Sequence, residues 1–204
     1  MQYERMSEWK VHDKRVLDAV ARVPRHFFVD TPDVFEAYED RPLPIGHGQT
    51  ISQPYIVALM TELLAVEPHH RVLEIGTGSG FQAAVLAQLA GEVISVEIIE
   101  ALAKRARERL AAQGCQNVEV HHGDGYKGYP PKAPYDRIIV TASCPDGVPE
   151  PLEEQLKPSG RLVLPTGATS EDQQLVAVIK DMDGKLQREE VLPVRFVPLT
   201  RRLR

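Results

Sequence analysis

The chain has 204 residues, 43% of them hydrophobic and 26% charged, which allows a sizeable core and excludes a disordered or membrane-embedded sequence. Its formal net charge of -5 argues against a partner held mainly through phosphates; the one basic run, Arg201-Arg202 with Arg204, reads as a solvated tail. No apolar run approaches the roughly 18 residues of a membrane span, and MQYERMSEWK lacks the apolar segment of a signal peptide, so a cytoplasmic location is expected.

In chain order, Asp13 is placed to cap a helix over 14–23 with Val16, Leu17 and Val20 on one face, and Pro24 stops it. From Pro24 to Pro54, Pro32, Pro42, Pro44, Gly46 and Gly48 interrupt Phe27, Phe28, Phe35, Tyr38 and Ile45, which predicts an ordered loop cover. A helix over 55–66 begins after Pro54. Val72 to Ile75 reads as a buried strand, the glycines at 76, 78 and 80 as a tight turn, and 81–87 as a helix. A strand over 92–96 leads to Glu97, and a helix over 98–113 buries Ile99, Leu102, Ala106 and Leu110 before Gly114 ends it. Strands over 117–122 and 136–141 flank Gly123-Asp124-Gly125 and a loop rich in Tyr, Pro and Gly. A short helix over 151–157, a turn at 158–160 and a strand over 161–165 follow. The end reads as an antiparallel edge, with a strand over 174–180, a hairpin at Asp183-Gly184 and an extended 186–199.

This alternation predicts an α/β, doubly wound, mostly parallel Rossmann-like sheet with helices on both faces. One domain is expected: an N-terminal helix and cover over 1–66, a cofactor-binding core over 67–166 and C-terminal strands over 167–204. Cys115 and Cys144 lack Cys-x-x-Cys spacing and are expected as free thiols. The pairs His69-His70 and His121-His122 point apart in a helix or a strand, so no metal site is expected.

Three features share the carboxyl ends of the predicted strands, where such sheets bind ligands: the turn Gly76-Thr77-Gly78-Ser79-Gly80, then Glu97, then Gly123-Asp124-Gly125. Glu97 stands about 20 residues after the first glycine, where a carboxylate can accept from ribose hydroxyls. Asp124 is placed to accept from an exocyclic amine, so the three describe an adenosine site. The GxGxG spacing differs from the GxGxxG of dinucleotide binders. Glu74 adds a carboxylate by the turn, which suits a sulfonium better than a pyrophosphate. Glu74 to Gly80 resembles the first motif of class I S-adenosylmethionine-dependent methyltransferases. A nucleic-acid methyltransferase, an NAD-dependent dehydrogenase and a non-catalytic S-adenosylmethionine binder are the competing readings. Thr141-Ala142-Ser143-Cys144-Pro145 stands where an amino-group methyltransferase would carry Asn/Asp-Pro-Pro-aromatic.

Segments outside this core narrow the acceptor. Val23-Pro24-Arg25-His26-Phe27-Phe28-Val29, Tyr38-Glu39-Asp40 with Leu43-Pro44-Ile45-Gly46, GQTISQP over 48–54, and Arg195-Phe196-Val197-Pro198-Leu199 resemble the protein-L-isoaspartate O-methyltransferase family. The resemblance implies methyl transfer from S-adenosylmethionine to the free α-carboxylate of L-isoaspartyl residues in proteins and peptides, giving S-adenosylhomocysteine and an ester that closes to a succinimide. It implies Ser52 as the active-site hydroxyl with Thr50 and Ile51 beside it, and substrate contacts from 194–199, Val194, Val197 and Leu199 among them. It implies neither a nucleic-acid nor a membrane partner. By position alone, Ser52 is also a candidate cap for the helix after it. Thr200-Arg201-Arg202 departs from the family pattern, in which a glycine is common after the matching leucine.

Overall fold

The computed structural model describes residues 10–31 and 33–201; Pro32, Arg202, Arg204 and most of the N-terminal segment read for a signal peptide lie outside them. Helix α1 (Lys14–Arg22) starts as expected at Asp13, whose Oδ1 accepts from Arg15 N at 2.8 Å, and buries Val16, Ala19 and Val20.

The cover is more regular than a loop. Two short 3₁₀ turns, Arg25–Phe28 and Glu36–Tyr38, precede an antiparallel hairpin of β1 (Leu43–Gly46) and β2 (Gln49–Ile51). Its turn is made by His47 and Gly48, with φ of 56° and 70°. Two adjacent positive φ values suit the right-handed twist of a tight hairpin. Pro44 and the two glycines obscure this hairpin in the sequence. Helix α2 (Pro54–Leu64) follows, and Asp40 of the cover caps it by accepting from Tyr55 N at 2.9 Å.

The main sheet contains β3 (Arg71–Ile75), β4 (Glu92–Glu97), β5 (Val118–His122), β6 (Tyr135–Val140), β7 (Leu156–Thr166), β8 (Gln174–Lys180) and β9 (Leu186–Pro193). Their order is β5-β4-β3-β6-β7-β8-β9, parallel through β7 and antiparallel for the last two. Helices α3 (Phe81–Ala87), α4 (Glu100–Ala112) and α5 (Glu150–Gln155) complete the α/β pattern. Val72, Val93, Ile139 and Val163 pack in one cluster with α1 to α4, whereas Leu73, Ile75, Ile94 and Leu162 pack with Leu152 of α5. Both faces are therefore covered, which is why these strands are nearly continuously apolar.

Strand β7 begins earlier than expected. Leu156 pairs with Tyr135 and Arg161 with Arg137, so the predicted turn at 158–160 is a bulge within one strand. The strand order reverses between β3 and β6, and a doubly wound sheet binds its ligand in the crevice at that reversal, beyond the carboxyl ends. Among the described residues, no helix is long and apolar enough to cross a membrane.

Candidate active site

The turn after β3 forms the floor of this crevice. Gly76 and Gly78 have φ of 93° and 53°, and Gly76 N donates to Val96 O at 2.8 Å, tying the turn to β4. A side chain at 76 would stand 2.5 Å from Thr141 Oγ1, so only bare backbone fits. Gly80 serves the backbone path into the next helix. Its φ of 91° at the N-cap of α3 is what favours glycine, and a Cβ there would only reach ordinary contact, 3.4 Å from Leu110 of α4. Thr77 and Ser79 are buried, Thr77 Oγ1 lying 2.5 Å from Ser95 Oγ while Ser79 Oγ accepts from Phe81 N at 3.2 Å.

Glu97 lines the crevice and is 5% exposed. Its Oε2 accepts from Gly78 N at 2.7 Å and its Oε1 from Ile99 N at 2.9 Å, which aims the carboxylate along the turn. Burial raises its pKa, and these N–H groups oppose that rise. Each oxygen retains a lone pair for a further donor. Of Gly123-Asp124-Gly125, Gly125 lines the crevice, Gly123 N donates to Glu97 O at 2.9 Å, and Asp124 Oδ1 accepts from Tyr126 N at 3.1 Å to start a 3₁₀ turn.

Glu74 sits beneath the turn, whereas its place in the motif predicts a carboxylate beside the ligand. It is fully buried, accepts from Ser95 Oγ, and burial pushes its carboxyl up to about 8. At neutral pH it is mostly a neutral acid, so it supplies no full counter-charge to a sulfonium; through Ser95 and Thr77 it supports the turn.

A second cavity of about 540 Å³ adjoins the crevice, lined by Ser52, Gln53, Tyr55, Ile56, Thr141 and the segment over 192–197. A small cleft joins the two between 50–52 and the glycine turn. Thr50 and Thr141 line all three spaces, Ser52 lines the groove and the cleft, and Ile51 lines only the cleft. Val194 lies on the groove and Val197 on both groove and crevice, while Leu199 lies on the crevice wall alone. The residue at the N-cap of α2 is Gln53, with no side-chain cap bond, so Ser52 does not serve as the cap.

Two residues that sequence reasoning does not single out shape this junction. Thr141 Oγ1 lies 2.6 Å from Gly76 O and 3.1 Å from Ile75 O, fixing the turn from the side of β6. The rule that selects Glu97, a polar residue at a strand's carboxyl end, would also find Thr141. Arg25 is fully buried and donates to three carbonyls of the cover, Ala37 O, Arg41 O at 3.1 Å and Ser52 O at 3.1 Å. Desolvation lowers its pKa to about 10, so it stays charged. No periodicity marks a buried arginine that bonds to backbone. Cys144 is fully buried with its thiol pushed up to about 12, which leaves it un-ionised and inert.

Comparison with known proteins places this architecture. The family model described as protein-L-isoaspartate(D-aspartate) O-methyltransferase matches residues 2–204. A Polaromonas sp. protein named protein-L-isoaspartate O-methyltransferase 2 is 56% identical over 188 residues, 92% of this chain and 89% of that protein. An Anaeromyxobacter dehalogenans protein-L-isoaspartate O-methyltransferase is 54% identical over 200 residues, 96% of this chain and 95% of its own length. Among solved structures, one protein-L-isoaspartate O-methyltransferase superposes with a TM-score of 0.87 at 31% identity, covering 100% of this chain and 67% of that one. A Plasmodium falciparum chain described as a protein of the same kind in complex with S-adenosyl-L-homocysteine shares the fold at a TM-score of 0.85 and 24% identity, covering 98% of this chain and 97% of that one. The family model and these relatives span nearly the whole chain, and the chain belongs to the protein-L-isoaspartate(D-aspartate) O-methyltransferase family.

Proposed function

We propose that this protein transfers a methyl group from S-adenosylmethionine to the free α-carboxylate of L-isoaspartyl residues in damaged proteins and peptides, leaving a methyl ester and S-adenosylhomocysteine. The observation that carries this reading is the shared wall. Thr50 and Thr141 border the nucleoside-type crevice and the open groove alike, so a donor in one and a peptide in the other meet at a single cleft. The crevice chemistry suits the donor: bare glycine backbone, a nearly buried carboxylate at Glu97 with lone pairs for ribose hydroxyls, and apolar Ile75, Val96 and Ile99 for a ring.

When bound, S-adenosylmethionine supplies an electrophilic methyl on a positively charged sulfur. The residues of the chain then need to align rather than deprotonate, because an α-carboxylate with a pKa of about 3.5 is already ionised at neutral pH. Ser52 is the positioning hydroxyl: a neutral donor orients one carboxylate oxygen without fixing the negative charge that methyl transfer must remove. Thr50 and Ile51 shape the passage, and the segment over 194–197 borders the peptide. Gly76 and Gly78 seat the donor, Gly125 leaves room at the ring end, and Asp124 beside it accepts from the exocyclic amine. Isoaspartyl proteins of the cytoplasm are the substrates, in keeping with two free cysteines, Cys115 and Cys144.

Release of methanol tests this reading. Protein, S-adenosylmethionine and an isoaspartyl peptide should yield methanol as the ester closes to a succinimide. An S-adenosylmethionine complex that forms but yields neither ester nor methanol would reduce the protein to a binding module.

A further inference from the structure

The groove carries two charged side chains, Arg195 and Glu171, among lining residues that are otherwise neutral. Both line the groove alone and reach neither the crevice nor the cleft. Among the described residues, neither the Arg195 guanidinium nor the Glu171 carboxylate has a hydrogen bond or ion pair. Arg188 of the adjoining β9 is by contrast paired with Glu153 at 2.9 Å. Arg195 thus presents an unmatched cation to whatever lies in the groove.

The backbone beneath it is fixed. Buried Gln173 accepts from Val194 N through its O at 3.0 Å and from Phe196 N through its Oε1 at 2.6 Å, and its Nε2 donates to Phe196 O at 3.2 Å. Both neighbours of Arg195 are therefore clamped. Val197 borders groove and crevice together, and two residues of chain span no more than about 7 Å. An extended peptide covers that span with about two residues, so Arg195 stands beside the flanking residues of a bound peptide rather than beside its reacting carboxylate.

We propose that Arg195 is a specificity residue that selects substrates with an acidic side chain one or two residues from the isoaspartyl residue. This rests on the reading of the groove as the peptide site and adds which peptides it favours. A guanidinium is charged at every physiological pH and matches a carboxylate with two parallel hydrogen bonds. The chain as a whole carries a net charge of -5, so its general field repels acidic peptides, and a cation within the groove is a local exception to that field.

The test uses the full chain, labelled S-adenosylmethionine and isoaspartyl hexapeptides that differ only in carrying Glu, Gln or Lys one or two residues to either side of the isoaspartyl residue. In at least one of these positions the parent should show a KM about 2- to 5-fold lower for Glu than for Gln, with kcat nearly equal. That preference should shrink between about 0.01 M and 0.15 M salt, as the screening length falls from about 30 Å to about 8 Å. Arg195→Gln should bring the ratio of the two KM values to about one, Arg195→Lys should keep part of it, and Glu171→Gln should keep it whole. Arg195→Glu should reverse the order and favour the Lys peptide, an exchange that lost packing would not produce. Equal KM values for Glu and Gln peptides at every position, or a preference that survives in Arg195→Gln, would overturn the assignment. A parent protein that methylates none of the peptides would instead overturn the reading of the groove.

Discussion

Glu74 holds a proton at neutral pH because its carboxyl is wholly enclosed beside the neutral Ser95 hydroxyl, with no cation in contact to favour the charged form. An unfolded glutamate ionises at about 4.3 and this one at about 8, so the folded state binds the extra proton between those values. The contribution of this group to stability is complete below the lower value and is lost as pH rises toward the upper one. Glu74→Gln, neutral at every pH, should flatten the fall in melting temperature between about pH 5 and 8; an unchanged slope would place the titration elsewhere. At the junction, Ser52→Ala should leave S-adenosylhomocysteine affinity nearly intact while slowing transfer about tenfold or more, read by binding calorimetry against initial rates. Glu97→Ala should do the reverse, weakening binding by about 10- to 100-fold through loss of a charged hydrogen-bond acceptor. Glu97 was legible from its place at a strand end. The inward turn of Glu74 was not, because a side chain's direction after a buried strand depends on its neighbour across the ladder, here Ser95.

The cover is the element that lines both crevice and groove, and polar side chains fix its path together with the core packing of Phe28, Leu43, Ile45 and Ile51. Arg25 gathers carbonyls from Ala37, Arg41 and Ser52, while Arg105 and Arg109 of α4 reach Ile45 O at 2.5 Å and Phe28 O at 3.0 Å and both pair with Asp30. Asp30 is largely exposed, so those ion pairs contribute little, and the bonds to backbone carry the attachment. Arg25→Met should cost about 3 kcal/mol in urea denaturation, since the buried Ala37 carbonyl and the part-buried carbonyls of Arg41 and Ser52 all lose their donor, at about 1–3 kcal/mol for a buried group and less for the other two. Arg25→Lys should recover part of that loss and of the peptide KM, a split that simple loss of packing would not give. The many aromatic anchors of this stretch made its order legible. They did not reveal the hairpin, whose turn depends on the positive φ of His47 and Gly48, or the cap from Asp40, which acts across 15 residues of chain.

At the scale of the whole molecule, βα alternation made the doubly wound sheet legible and placed the glycine turn, Glu97 and Gly125 along one edge. Strand order is set by packing between distant segments, so periodicity could not yield β5-β4-β3-β6-β7-β8-β9. The extended 186–199 divides at Pro193 for a related reason: the chain leaves β9, bonds instead to Gln173 and Ser143, and runs on from groove to crevice. Crevice, cleft and groove thus arise from several separate stretches that only the fold brings together. The account stands most directly on one comparison, transfer of labelled methyl from S-adenosylmethionine to an L-isoaspartyl peptide and to its normal aspartyl twin. It predicts label on the isoaspartyl peptide alone; equal labelling of the two, or label on neither, would contradict it.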